Sequence, residues 1–300
     1  MKLINIDNEN EGQKIDKFIL KILKEMPKSF LYKMYRKKNI KLNDAKISGK
    51  ETLKAGDEIK IFFSDETYEK FKGEEKENKV KKLFEVVYED ENVLIVNKPV
   101  GLLAHTSSGN YERNLVDSIK GYLGETSEGF KVSISNRLDR NTSGLVIAGK
   151  NLMAVKCINE LIKEHKVDKY YKTIVKGELK GRKVLKGKME KNEDKNKSKM
   201  SKEGKDVETI VKPIKSNGKF TEVEIKLITG RTHQIRVHLS SIGHPLLGDT
   251  KYGSRVLNEK LGLNMQLLHA YKLVFNSKGT MLEYLDGKEF ICDKDFNIKL

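Results

Sequence analysis

NRLDRNTSGLVIAG, residues 136–149, is the stretch on which the reading of this chain turns. Its second half, GLVIAG (144–149), is a strand candidate running into an apolar interior. Its first half is polar where a plain core segment would be apolar: Asp139 stands between Arg137 and Arg140, and Asn141-Thr142-Ser143-Gly144 follows. A carboxylate at the mouth of a strand, beside a glycine turn, is a frequent place for catalysis. Taken alone, Arg-x-Asp-Arg reads as a turn held by ion pairs.

Around that stretch the chain alternates short β-rich runs with helical segments. Strand candidates are FEVVYED (84–90), NVLIVNK (92–98), YYKTIVKG (170–177), DVETIVKPI (206–214), FTEVEIKLI (220–228) and LLHAYKLVF (267–275), rich in β-branched residues and in part alternating. Helices are expected at 115–123, 153–165 and 232–242. The fold class that follows is α+β, with a mixed, largely antiparallel sheet and flanking helices, over residues 83–300. Two further segments mix glycine, apolar residues and fixed charge as 136–149 does: NKPVGLLAH (97–105) and GRTHQIRVHL (230–239).

Residues 1–64 read as a separate small α/β domain. IDKFILKILKEM places Ile15, Phe18, Ile19 and Ile22 at helical spacing, and KSFLYKMYRKK does the same with Phe30, Leu31, Met34 and Tyr35. Short strands follow at 39–43, 45–48 and 58–63, punctuated by Asn43-Asp44 and Ala55-Gly56-Asp57. Lys28, Lys33, Arg36, Lys37 and Lys38 give the second helix and its exit a cationic surface, which suits either a phosphate backbone or plain solvation. Residues 65–82 carry high charge without apolar periodicity and read as a solvated linker. Residues 180–205, with eleven Lys or Arg against four acids, read as a mobile loop.

The chain of 300 residues carries 59 Lys and Arg against 43 Asp and Glu, a net charge of +16, which makes a polyanion the expected partner. No apolar run is long enough to cross a membrane, and the first residues lack the apolar core of a signal peptide, so a cytoplasmic protein is expected. Cys157 and Cys292 exclude a disulfide framework and a Cys-x-x-Cys zinc site, and read as small core hydrophobes. His233, His238 and His244 are spaced by five and six and do not share a helical face, so no metal is expected. Lys199-Met200-Ser201-Lys202 sits in the lysine-rich segment with no Gly-rich strand-turn-helix before it; no cofactor is expected.

Taken together, NKPVG, RLDRNTSGL, GRTHQIRVHL, GHPLLGDTKYG (243–253) and LLHA (267–270) resemble the RluA-type RNA pseudouridine synthases in wording and order over about 84–275. GQKIDKFI, PKSFLYKMYRKKNIKLN and KAGDEIKI resemble the S-four (alpha-L) RNA-binding domain over about 12–63. The resemblance implies a monomeric, cofactor-independent isomerase that turns specific uridines of structured RNA into pseudouridine. Among the family the match looks most like members that modify large-subunit ribosomal RNA. Transfer RNA as substrate, and a catalytically silent RNA-binding or ribosome-assembly factor, are the alternatives.

The resemblance also assigns roles. Asp139 matches the family's catalytic aspartate; whether it attacks the ribose, attacks the base or takes a ribose proton stays open. A carboxylate in a water-poor pocket tends to take up a proton, and a neighbouring cation opposes that; Arg231 is the residue assigned to this ion pair. The pattern Lys-x-Tyr-x-x-x-Val-x-Gly falls on Lys169, Tyr171, Val175 and Gly177, making Tyr171 the active-site tyrosine, able to stack on uracil and reach its C5 proton. A shift of one residue would exchange Tyr171 for Tyr170. Arg137 is assigned to the space a flipped base leaves, and Arg36, Lys37 and Lys38 to RNA contact. Asn136 stands where many relatives have His, a departure expected to alter contacts to flanking RNA.

Overall fold

The computed structural model describes the chain apart from residues 7–9, 73–81, 106–112, 125–129, 131, 193–196 and 299. It comprises two compact units. The first gathers Met1–Lys81 with the short pieces Lys120–Val132 and Lys150–Met153; the second gathers Lys82–Ile119, Ser133–Gly149 and Ala154–Leu300.

In the first unit, β1 (Lys2–Asn5) is followed by helices α1 (Ile15–Ile22) and α2 (Lys28–Arg36), strands β2 (Ile40–Leu42), β3 (Ala45–Lys46) and β4 (Glu58–Ile61), and helix α3 (Asp65–Lys72). The strands form an antiparallel sheet in the order β1-β4-β2-β3. The helical spacing decides the packing: Ile15, Phe18, Ile19 and Ile22 of α1 and Leu31, Met34 and Tyr35 of α2 are buried in one core with Ile40, Ile59 and Ile61 of the strands. Asn43 and Asp44 both adopt positive φ (49° and 61°), the backbone that a two-residue hairpin turn requires. Helix α3 overturns part of the expected linker. Tyr68 and Phe71, one turn apart, fold onto the same core, Phe71 lying 4.9 Å from Phe30 by ring centroids. Two aromatics were enough to recruit a charged helix that shows no longer apolar period. The rest of the expected linker, 73–81, lies outside the described residues.

The second unit, which takes all but the last turn of α4 and the first two residues of α5, contains β5 (Glu85–Glu89), β6 (Val93–Lys98), α4 (Leu115–Leu123), β7 (Ser133–Ile134), β8 (Ser143–Gly149), α5 (Leu152–Lys163), β9 (Val167–Lys176), β10 (Lys183–Asn192), β11 (Lys197–Ser201), β12 (Lys205–Ser216), β13 (Phe220–Leu227), α6 (Gln234–Ser241), α7 (Arg255–Lys260), β14 (Leu268–Phe275) and β15 (Glu289–Ile291). Nine strands follow in the order β11-β10-β12-β13-β9-β14-β8-β6-β5, with β7 on β8 and β15 on β14. Every pairing is antiparallel except β14 with β8. Strand β8, buried at all seven positions, lies inside this sheet between β14 and β6, and Leu145 and Ile147 pack with Val93, Ile95, Ile158 of α5 and Phe275. Cys157 and Cys292 are half-buried against that same cluster.

The lysine-rich segment is a hairpin, which corrects the expected mobile loop. β10 pairs with β12 from Lys183↔Val211 to Met189↔Lys205, and β11 pairs with β10 in turn. Along β10, Leu185, Gly187 and Met189 take the covered side, while Val184, Lys186 and Lys188 are exposed. Met189 joins a small apolar cluster with Val207 of β12 and Val237 of α6, with Met200 and Tyr252 against it. The lysines occupy the solvent side of a strand alternation that their number masks. The remainder of that expected loop, 193–196, lies outside the described residues. Among the described residues no helix is long and apolar enough to cross a membrane.

Candidate active site

The chain crosses the sheet mouth at residues 135–142, between β7 and β8. Asn136 anchors this crossing: its amide donates to the Leu145 carbonyl (3.1 Å) and its Oδ1 accepts from the Ile147 N–H (2.8 Å). These bonds tie the Asn136 side chain to the backbone of β8, at the edge of the cavity described below. Asp139 accepts at its carbonyl from the Thr142 N–H (3.0 Å), closing the turn that feeds β8. Gly144 then makes the parallel pairing possible. Its φ is +117°, and a Cβ there would stand 2.2 Å from the Ala270 carbonyl oxygen of β14. Gly144→Ala is therefore expected to cost about 2–5 kcal/mol, combining a forbidden backbone with overpacking against a backbone atom. Denaturant unfolding measures this, and a loss under about 1 kcal/mol would show the two strands free to part.

A second loop is stitched to the same turn. Lys98, at the end of β6, is fully buried and donates to the carbonyls of Pro99 (3.0 Å), Leu102 (2.8 Å) and Arg140 (3.1 Å). Burial pulls its ammonium down to about 8, against the opposing pull of the Asp139 charge. Gly101 donates its N–H to the Arg140 carbonyl (2.9 Å). NKPVG thus serves as a buttress under RLDR.

The Asp139 side chain is a quarter exposed and borders an open cavity of about 470 Å³, a size suited to a small-molecule or nucleotide fragment. Tyr171 borders the same cavity from β9, where it pairs with Ile225 of β13 and Ala270 of β14. It is buried, and burial together with the Asp139 charge pushes its phenol well above the usual tyrosine value, so it is neutral at pH 7. Tyr170 faces the other side of the sheet, under the ammonium groups of Lys272 (4.5 Å) and Lys226 (5.6 Å). That places Tyr171, not Tyr170, at the cavity.

The cation on Asp139 is Arg236, which corrects the assignment to Arg231. Arg236 Nη1 donates to Asp139 Oδ2 at 3.0 Å, while its Nε and Nη2 grip Asp249 in a two-pronged pair of 2.7 and 2.9 Å. Asp249 also accepts the Lys251 and Tyr252 N–H groups. Burial alone would raise the Asp249 carboxyl; the Arg236 guanidinium and those amides outweigh it and hold it below the usual carboxylate range. The guanidinium also lies over the Tyr252 ring, 5.2 Å from its centroid. Arg231 borders the cavity but is exposed, and it precedes α6. Its N–H donates to Gln234 Oε1 (3.0 Å), capping the turn that starts the helix. The helix's buried face carries residue 236 inward, five positions later. A signal for this was present: Arg236 is enclosed by Ile235, Val237 and Leu239, and an arginine in such a run must find a carboxylate.

His233, for which the sequence reading excludes a metal role and offers no other, sits beside this pair, its Nε2 3.8 Å from Asp139 Oδ2. Among the described residues no group of three or more His, Cys, Asp or Glu is arranged to hold a metal ion. Arg137 is exposed on the cavity rim, near enough to His105 that its charge adds to burial in lowering that imidazole's pKa. Arg36, Lys37 and Lys38 lie in the first unit, exposed at the exit of α2.

Residues 92–241 match a family described as RNA pseudouridylate synthase. The chain is 34% identical over 289 residues to the ribosomal large subunit pseudouridine synthase C of Vibrio vulnificus, covering 93% of this chain and 90% of the relative. It is 33% identical over 298 residues to the protein of that name from Escherichia coli K12, with 93% and 90% covered. Among solved structures, human RNA pseudouridylate synthase domain containing 4 superposes with a TM-score of 0.56 at 24% identity, covering 71% of this chain and 89% of that one. Human RNA pseudouridylate synthase domain containing 1 gives the same TM-score at 22% identity, with 71% and 84% covered.

Proposed function

Because this chain belongs to the RNA pseudouridylate synthase family and is an RNA pseudouridine synthase, we propose that its substrate is a uridine of large-subunit ribosomal RNA and that Asp139 carries the chemistry. The substrate reading rests on relatives that share a third of their residues with nearly the whole chain and are named for that RNA. The observation that carries the catalytic reading is Asp139 Oδ2 held at 3.0 Å by Arg236 at the wall of a cavity that Tyr171 also borders.

The reaction breaks the bond from ribose C1′ to uracil N1, turns the base and joins C1′ to C5, while C5 gives up its proton and N1 takes one up. Bonds are exchanged within one nucleotide with no net oxidation, so the proposal invokes no cofactor. Arg236 fixes the Asp139 carboxylate against the nucleotide and balances its charge. Neutral Tyr171 offers an aromatic face for the extruded base; a phenol so far above neutrality is poorly matched to act as a base at pH 7. Arg137, on the rim, is placed to fill the stack the base has left. Arg36, Lys37 and Lys38 would hold phosphates of the same RNA from the first unit.

Incubation with deproteinised large-subunit ribosomal RNA and with transfer RNA, followed by mapping of pseudouridine, tests the substrate. New pseudouridines in the ribosomal RNA are expected. Modification of transfer RNA alone would reverse the assignment. In a parallel arm, replacing Arg36, Lys37 and Lys38 with Ala should weaken RNA binding and flatten its salt dependence, by a bit under one unit of slope for each phosphate that is no longer neutralised. An unchanged slope would remove them from the interface.

A further inference from the structure

The buried histidine beside Asp139 is not needed to hold the Asp139–Arg236 pair, and its surroundings specify it more closely than packing requires. His233 caps α6 in the left-handed conformation (φ 58°, ψ 16°), a backbone that costs a residue with a Cβ and is kept where neighbours enforce it. Its side chain is only 6% exposed. Nδ1 lies 2.9 Å from the Tyr252 hydroxyl, which itself accepts the Ser198 N–H of β11 at 2.8 Å. With the Ser198 N–H donated to it, the hydroxyl is placed to turn its own proton to Nδ1, the arrangement in which the ring proton resides on Nε2 and the one taken here. The Tyr252 ring meets the imidazole edge-on at 5.6 Å, and Ser198 Oγ donates to the Thr232 carbonyl next to His233 (2.9 Å). Tyr252 and Ser198 together therefore hold the imidazole in one orientation, with Nδ1 on the Tyr252 hydroxyl.

The proton so placed is not used by the protein. Nε2 is 3.8 Å from Asp139 Oδ2, beyond hydrogen-bond distance, and it makes no hydrogen bond among the described residues. It borders the cavity that Asp139 and Tyr171 border. Burial lowers the imidazole's pKa, helped by the charges of Arg236 and Lys251 and opposed by Asp139 and Asp249. The ring is thus neutral at pH 7, a donor that does not neutralise Asp139.

We propose that His233 is a further catalytic residue, whose Nε2–H donates a hydrogen bond to a carbonyl oxygen of the extruded uracil. The inference rests on the reading of Asp139 above. When the N1–C1′ bond breaks, its electron pair stays on the base and spreads onto the two carbonyl oxygens; a fixed, desolvated N–H aimed there stabilises that charge without reorganising. His233 keeps its proton throughout, and no bond to it forms or breaks.

His233→Asn tests this most sharply, because Asn tolerates the left-handed backbone and can still meet the Tyr252 hydroxyl, yet ends short of the Nε2 position. With large-subunit ribosomal RNA, kcat is expected to fall about 100-fold, the usual effect of deleting one such donor, while KM stays within about threefold and Tm within a few degrees. His233→Gln, whose amide reaches the Nε2 position, should recover at least about tenfold of the loss. Tyr252→Phe keeps the imidazole and releases its tautomer, and should fall between wild type and His233→Asn. A kcat within threefold of wild type for His233→Asn, a loss confined to KM, or equal losses for the Asn and Gln variants would each overturn the proposal. Asp139→Asn is assayed alongside on the same RNA. If it is dead while His233→Asn is fully active, only the histidine's role falls; if it is active, the reading of the site falls and the histidine's role with it.

Discussion

Asp139→Asn is expected to reduce pseudouridine formation by at least about 1,000-fold while RNA affinity stays within about threefold. The asymmetry follows from what the amide keeps. Its shape is that of the carboxylate, and its carbonyl oxygen can still accept the Nη1 bond of Arg236, so the turn before β8 is not disturbed. Arg236 stays balanced by Asp249, which holds it through two bonds. The substituted side chain is a quarter exposed, so little buried surface changes. What disappears is the negative charge and the basic oxygen, the two properties that each version of the chemistry requires. Tritium release from ribosomal RNA labelled at uracil C5 measures turnover, and filter binding measures affinity. Residual activity above a tenth of wild type would take Asp139 out of the reaction. A large loss of affinity would instead assign it to binding.

How far the molecule could be read in advance depended on whether a side chain's direction is set by its own strand or by a neighbour. Tyr171 was legible because the resemblance supplied the register that strand alternation alone leaves open, and a buried Tyr171 with Tyr170 on the reverse face is what β9 delivers between β13 and β14. β8 was legible because an unbroken apolar run after a glycine turn suits an interior strand. The pairing of Asp139 with Arg236 rather than Arg231 was not, since it depends on where α6 begins, and Gln234 sets that start by bonding back to the Arg231 N–H. Helix α3 escaped because its folding rests on Phe71 meeting Phe30 and Phe63 and on the burial of Tyr68 in the same core, a tertiary effect with no local period. The β10–β11 hairpin was hidden by its lysines, although Leu185 and Met189 mark the covered side. Asn136 was judged by what it replaces, whereas its two bonds to β8 are invisible until the strand is beside it.

Arg236→Met is expected to inactivate the enzyme and destabilise it together, and Arg231→Met to do neither to a comparable degree. Removing the guanidinium leaves Asp249, whose side chain has no exposed surface, without its cation, and leaves Asp139 without its anchor. Orphaning a buried charge in this way costs about 3–5 kcal/mol, and loss of the carboxylate's orientation should lower the rate by at least about 1,000-fold. Arg231 is exposed, so Arg231→Met should change stability by no more than about 0.5 kcal/mol and the rate by less than about tenfold. Stability and chemistry are separated by the double variant Arg236→Met with Asp249→Leu, which removes the buried pair as a unit. Apolar replacement of a buried pair is often neutral, so folding should return in part, short of the two N–H bonds from Lys251 and Tyr252 that Asp249 also accepts. The rate should not, because Asp139 still lacks the Nη1 donor. Recovery of both in the double variant would reduce Arg236 to a partner of Asp249, and a dead Arg231→Met beside an active Arg236→Met would return the ion pair to the loop residue.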